Sequence, residues 1–191
     1  RHLMTESYTN HLAAIHAAQT ISAAILNEIL RELSPAPVLA KRRIIGGEAN
    51  EVYEVTLADG DQMIVRISRD AEKHLAQEQW AIQECGKRGV PVPEWLGLWD
   101  RSTQDQPLHI CIERKLAGVL LSAAHLPHNV RQEIVVQAGE LLSRIHTIPV
   151  KGFGYLNGQG EGKFLTAAGE TAEFLGMEAE FQALAQRGQP L

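Results

Sequence analysis

The feature that most constrains the fold is an abrupt change in hydrophobic period at two prolines, Pro35 and Pro37. Before them, isoleucines and leucines recur at steps of four residues, which predicts a helix over residues 10–33. After them, apolar and polar residues alternate, as in strands with one buried face. A helix and strands in this order predict an α+β fold.

Three strand-like runs follow the prolines, over residues 43–45, 51–57 and 63–67. The second run alternates, and the third is rich in β-branched residues. Between them, residues 58–61 read Ala-Asp-Gly-Asp, a hairpin turn signal. We therefore predict three consecutive antiparallel strands.

The rest of the chain carries further helix and strand signals. The predicted elements are a helix over 70–87, strands over 95–99 and 108–112, and helices over 128–146 and 167–186. Because the sheet-rich part gives way to a helix-rich part, we expect a boundary near residues 116–122.

Charge and cysteine content exclude several classes of protein. The net charge is -5 and no long run of one sign occurs, so we expect no nucleic-acid partner and no membrane-surface binding. Cys85 and Cys111 are the only cysteines and stand far apart, which argues against a disulfide scaffold or a zinc site. No apolar run reaches 18 residues and no signal peptide is evident, so we expect a cytoplasmic protein.

Three features of the sheet-rich part could carry chemistry. The pair Gly46-Gly47 lies between two strands, where backbone amides can approach phosphate oxygens. Arg66 is a cation within an apolar strand, and Glu78 lies in the following helix. Each has an ordinary alternative: a simple turn, an exposed arginine and a solvated helix glutamate. Their combination in this order is more specific than any of them alone.

Five segments in order and spacing carry a resemblance to a known family. They are GGEANEVYEV, MIVRIS, HLAQEQWAIQECGKRGVPVPEWL, PLHICIERKLAG and ELLSRIHTI. Over residues 44–162, the sequence resembles the N-terminal part of the aminoglycoside phosphotransferase family. The resemblance implies a protein-kinase-like lobe, with a five-stranded antiparallel sheet and one helix. The start of a helical lobe follows it, and an extra helix precedes it.

The resemblance assigns roles to particular residues. It implies that Arg66 holds the nucleotide phosphates and that Glu78 pairs with it. The remaining nucleotide-binding residues that it implies are Gly46, Gly47 and Asn50 in the loop, and Glu113 to Lys115 in the segment that meets the base. The implied cofactor is ATP or GTP with Mg²⁺, and the choice between the two nucleotides stays open. We expect three parts: an N-terminal helical extension over 4–37, the nucleotide-binding lobe over 38–117 and an incomplete helical lobe over 118–191.

The residues that would perform the transfer are missing from the sequence. The family's chemistry needs a catalytic aspartate and metal ligands after the ELLSRIHTI helix, yet the last aspartate is Asp105. We therefore expect no catalytic residue and no metal ligand in this chain, which should be inactive alone because the catalytic loop is absent.

Two functional readings remain open. The first is the nucleotide-binding part of a phosphotransferase that acts on a small hydroxylated molecule such as an aminoglycoside, with a role in antibiotic resistance. The second is a non-catalytic, truncated kinase-like module that binds nucleotide or self-associates, for example as a homodimer. A plain α+β domain without either function is the least informative alternative.

Overall fold

The computed structural model describes residues 20–45, 50–70, 75–103 and 106–186. Its elements in chain order are α1 (Ala23–Leu33), β1 (Val38–Ile44), β2 (Glu51–Leu57), β3 (Gln62–Ser68), α2 (Leu75–Lys87), β4 (Trp95–Asp100), β5 (His109–Arg114), α3 (His128–Ile145), β6 (Phe153–Leu156), β7 (Gly162–Phe164) and α4 (Ala167–Gln186).

Strands β1 to β5 form one sheet in the order β1-β2-β3-β5-β4, and every neighbouring pair is antiparallel. The predicted α+β fold with a five-stranded antiparallel sheet is thereby confirmed. The β2–β3 turn forms as its sequence indicates: Gly60 adopts a φ of 93°, and the Asp59 side chain accepts a hydrogen bond from the Asp61 amide. A residue with a Cβ atom rarely adopts that φ, so glycine suits the position.

The core lies between α1 and one face of the sheet. Strand β2 alternates strictly, so that Tyr53, Val55 and Leu57 are buried on this face. Leu26, Ile29 and Leu30 of α1 are buried in the same cluster, which the inward residues of β3 and β5 complete. The apolar face of α1 needs this cover because a helix of 11 residues has little stability in isolation.

Helix α1 begins later than residue 10, the predicted start. Ser22 has non-helical backbone angles, and its hydroxyl accepts a hydrogen bond from the Ala24 amide, as an N-cap does. The Ile21 amide donates to the Glu51 carboxylate at 2.8 Å and is thereby tied to the sheet. The predicted N-terminal portion of the helix lies outside the described residues, as do residues 71–74 of the helix predicted over 70–87.

A short hairpin in the glycine-rich stretch was not predicted. Strands β6 and β7 pair antiparallel there, and the Asn157 side chain accepts hydrogen bonds from the amides of Gln159 and Glu161 in the turn between them. Gly152 needs to be glycine, because it has a φ of 77° and an added Cβ would lie 2.4 Å from the Phe164 carbonyl oxygen.

The chain divides into two compact units. The first comprises the described residues up to Leu75 together with Pro91–Arg131, and so contains α1 and the five-stranded sheet. The second comprises Ala76–Val90 and the described residues from Gln132 onward, and so contains the β6–β7 hairpin and α4. Among the helices that the structure describes, none combines the length and apolar character needed to cross a membrane.

Candidate functional site

The five-stranded sheet has two chemically different faces. One is the core face beneath α1. The other, which we call the Arg66 face, follows from the register: Val52 is the partner of Arg66, and Arg66 is the partner of Cys111. Ile64 is likewise paired with Glu54 and with Glu113. The Arg66 face is therefore made of Val52, Glu54, Ile64, Arg66, Cys111 and Glu113.

Arg66 is the central cation of this face, on β3. Its Nη2 atom lies 3.5 Å from a carboxylate oxygen of Glu113 and 3.5 Å from the sulfur of Cys111. The Arg66 side chain is 21% exposed. A partly buried guanidinium needs an anionic or polar partner, and Glu113 supplies one. The guanidinium therefore leans toward β5, at the level where Ile64 pairs with Glu113.

The structure places the other predicted site residues as follows. Asn50 immediately precedes β2 and is half-buried. Gly46 and Gly47 lie outside the described residues. Glu78 lies in the first turn of α2 and belongs to the second unit, whereas Arg66 belongs to the first. The predicted pairing of Glu78 with Arg66 stays a prediction.

Lys115, in the predicted base-binding segment, is engaged in bonds within the sheet. Its backbone amide donates to the carbonyl of Gln62 at 2.9 Å, and its ammonium group donates to Glu54 at 2.6 Å. The bonds from Lys115, and next from Arg42, lower the pKa of Glu54. The Arg114 amide also donates within the protein, to the carbonyl of Glu94. These two bonds occupy the backbone N–H groups of Arg114 and Lys115.

The sequence did not lead us to predict a role for Glu51, a buried carboxylate next to the predicted nucleotide loop. Glu51 directly follows Asn50, and its side chain is fully buried. It accepts hydrogen bonds from the Tyr53 hydroxyl at 2.5 Å and from Arg69 at 2.6 Å, in addition to the Ile21 amide. Burial, and then the bond to Glu51, raise the pKa of Tyr53 to about 12. The alternation of β2 could have identified this carboxylate, because Glu51 lies two residues before Tyr53 and therefore points to the same buried face.

A groove of about 380 Å³ lies in the second unit, between the β6–β7 hairpin and α4. Its lining includes the aromatic rings of Tyr155, Phe164 and Phe174. Lys163 lies over the Phe164 ring and forms an ion pair of 2.7 Å with Glu173. None of the predicted site residues lines this groove.

The described side chains were also compared with the grouping that a metal ion needs. Across residues 20–45, 50–70, 75–103 and 106–186, no cluster of three His, Cys, Asp or Glu side chains could hold a metal ion.

Comparison with solved structures identifies the fold. The protein is similar to aminoglycoside phosphotransferase APH(4)-Ia, with a TM-score of 0.60 and 21% identity over 76% of this chain and 48% of that one. A thermostable mutant of that enzyme, in ternary complex with ADP and hygromycin B, gives a TM-score of 0.58 and 21% identity over 74% and 46% of the two chains. A second thermostable mutant, with AMP-PNP and hygromycin B, gives 0.59 and 22% over 76% and 47%.

The chain thus spans somewhat less than half the length of these structures. No curated protein matches the sequence. The model of one family, described as the phosphotransferase enzyme family, matches residues 42–189, well over half of the chain. This protein therefore belongs to the phosphotransferase enzyme family.

Proposed function

We propose that this chain is the nucleotide-binding part of an ATP- or GTP-dependent phosphotransferase acting on a small hydroxylated molecule such as an aminoglycoside. One observation carries the proposal: Arg66 lies on one sheet face with the apolar side chains of Val52 and Ile64 and the carboxylate of Glu113. Such a face can offer a nucleotide both a cation and an apolar surface. The complexes of the structural relatives with ADP and AMP-PNP support this reading.

Each part of the face has a role in this proposal. Phosphoryl transfer depends on positioning and charge neutralisation more than on covalent chemistry by the protein. Arg66 would neutralise phosphate charge, the Gly46-Gly47 loop and Asn50 would approach the phosphates through the backbone, and Glu78 would orient Arg66. The base would lie against Val52 and Ile64 and meet the segment from Glu113 to Lys115.

The catalytic steps are proposed to need residues that this sequence lacks. No aspartate follows Asp105, so the chain contains no candidate for the general base expected after α3. Magnesium ligands are likewise proposed to lie outside this chain. We expect the 191-residue chain to transfer no phosphate from ATP to kanamycin, and measurable magnesium-dependent transfer by the purified chain would contradict this.

Nucleotide binding tests the proposal directly. Isothermal titration calorimetry with ATP and with GTP, each with Mg²⁺, should give one site per chain for at least one of them. Arg66→Met should weaken that binding by about tenfold or more, since a charge-assisted bond to phosphate is lost. Arg101→Met is the matched control, because Arg101 pairs with Glu32 of α1. Absence of binding of either nucleotide to the unmodified chain would refute the proposal.

The exposure of α3 favours a second candidate function, self-association. No residue of this 18-residue helix is buried, and Val135 and Val136 are 64% and 62% exposed. Exposed apolar surface of this kind favours contact with a partner, and a two-fold dimer is the commonest closed form. Light scattering at micromolar concentration should give twice 21.0 kDa, and Val136→Glu should shift the mass toward 21.0 kDa. A monomer at all concentrations would exclude this candidate.

A cytoplasmic location and a role in antibiotic resistance are part of the same proposal. Neither Cys85 nor Cys111 forms a disulfide among the described residues, as is usual in a reducing compartment. Resistance would follow only if the substrate of the complete enzyme is an antibiotic aminoglycoside, which a complementation assay in a susceptible bacterium would test.

A further inference from the structure

The groove in the second compact unit has no part in the proposed nucleotide site. It lies between the β6–β7 hairpin and α4, and its volume of about 380 Å³ is at the lower end of the range for small-molecule sites. Three aromatic rings form part of its lining, those of Tyr155, Phe164 and Phe174. Tyr155 and Phe174 are 85% and 63% exposed, so a ligand in the groove can contact rings that the described part of the protein leaves open.

The charged side chains of the groove leave one negative charge unbalanced. Its lining contains two carboxylates, those of Glu170 and Glu173, and one ammonium group, that of Lys163. Lys163 pairs with Glu173 at 2.7 Å. Glu170, in the first turn of α4, is half-buried, and its carboxylate forms no hydrogen bond or ion pair with any residue that the structure describes. A carboxylate that is partly removed from water and has no cationic partner attracts a positively charged ligand.

Gly154 brings an aromatic ring and this carboxylate to the same part of the groove. A Cβ atom added to Gly154 would lie 3.0 Å from the Phe164 ring and 3.7 Å from a carboxylate oxygen of Glu170. The first turn of a helix favours a carboxylate by itself, but it gives no reason for an aromatic ring beside it. The face of an aromatic ring attracts a cation, and the ammonium group of Lys163 already lies 5.2 Å from the centre of the Phe164 ring. The groove therefore combines the two features that recognise an organic cation.

We propose that this groove binds a small alkylated ammonium ion, whose apolar substituents contact the aromatic rings while Glu170 balances its charge. This inference does not rest on the proposed nucleotide site. Aromatic walls suit apolar substituents on nitrogen, whereas a hydroxylated ligand would need hydrogen-bond partners that phenylalanine rings cannot supply. A neutral apolar ligand would leave Glu170 without a counter-charge, and an anion would be repelled by it.

Methionine methyl NMR during titration with tetramethylammonium chloride tests this inference. Met177 lines the groove and Met63 is buried in the core beneath α1, so one methyl group reports binding and the other is an internal control. We expect the Met177 signal to shift saturably and the Met63 signal to stay in place. tert-Butanol, which has a similar size but no charge, should bind about tenfold more weakly. Potassium chloride should cause no saturable shift, because the potassium ion has no apolar substituents to contact the rings.

Two variants with opposite expected effects distinguish loss of binding from misfolding. Glu170→Gln removes the unbalanced charge and should weaken tetramethylammonium binding by about fivefold. Glu140→Gln is the matched control, because Glu140 is an exposed glutamate of α3 that does not line the groove, and it should leave the affinity unchanged. Lys163→Met removes the ammonium group that competes for the Phe164 ring and releases Glu173, so it should strengthen binding by about threefold or more.

Several results would overturn the inference. They are equal affinities for tetramethylammonium and tert-butanol, a saturable response to potassium, an unchanged affinity in Glu170→Gln, and weaker binding in Lys163→Met. Absence of any saturable shift of the Met177 signal would overturn it as well. None of these results bears on the nucleotide site, which is tested separately by nucleotide titration.

Discussion

Replacing Glu51 should destabilise the fold more than any other exchange of a glutamate for a glutamine in the sheet. Its carboxylate is fully buried and accepts hydrogen bonds from Arg69, the Tyr53 hydroxyl and the Ile21 amide. Glu51→Gln keeps the volume but removes the charge that balances Arg69, and hydrogen bonds to charged groups contribute about 1.5–3 kcal/mol each. We expect a loss of about 2 kcal/mol in the free energy of unfolding.

Glu51→Ala should cost more, about 3–5 kcal/mol, because it leaves Arg69 as a buried charge without its carboxylate partner. Arg69 retains only 14% side-chain exposure, so water cannot fully replace Glu51. Urea unfolding followed by circular dichroism measures both losses. Combining Glu51→Gln with Arg69→Met should give a loss smaller than the sum of the two single losses, since the two side chains share one interaction.

Glu28→Gln is the matched control for this experiment. Glu28 is 66% exposed and lies 3.7 Å from Arg101, so its replacement should change stability by about 0.5 kcal/mol or less. A Glu51→Gln protein as stable as the Glu28→Gln protein would refute the view that the buried carboxylate joins the start of α1 to the sheet.

Three further predictions concern Tyr53, Gly97 and Gly139. The pKa of Tyr53 is raised in the folded state to about 12, so its neutral form stabilises the fold fully below the ordinary pKa of 10, and this contribution is lost as pH rises through 12. Absorbance at 295 nm should show one tyrosine titrating near pH 12, and Tyr53→Phe should abolish that component. Gly97→Ala should destabilise by about 1–3 kcal/mol, because the new Cβ would lie 2.3 Å from the Trp99 ring. Gly139→Ala, within α3 and with no atom near its added Cβ, should instead stabilise by about 0.5–1 kcal/mol, and urea unfolding measures both changes.

The parts of the fold that local pattern specifies were predicted well. Strand β2 occupies the predicted range because its alternation sets which side chains are buried. Strand β1 is longer than predicted. Residues 39–43 are mostly exposed and so lack an alternating apolar pattern, and they are extended because they pair with β2. The β6–β7 hairpin was missed because it is short and glycine-rich and so lacks an alternating pattern.

The candidate site was only partly predictable for a related reason. Arg66 and Glu113 were both identified, yet their proximity depends on β5 pairing with β3 in one register, across 47 residues of sequence. The Glu51 cluster depends on Ile21 and Arg69, which are distant in sequence from one another. A local pattern cannot specify contacts that form only when the sheet is assembled.

The central claim is that nucleotide binds on the Arg66 face of the sheet. Methyl NMR spectra of the chain during ATP titration test it most directly, because valines and isoleucines lie on both faces. We expect the methyl signals of Val52 and Ile64 to shift, while those of Val55 and Val65, buried beneath α1, stay in place. Shifts confined to Val55 and Val65, or no shift at any of the four at saturating ATP, would contradict it.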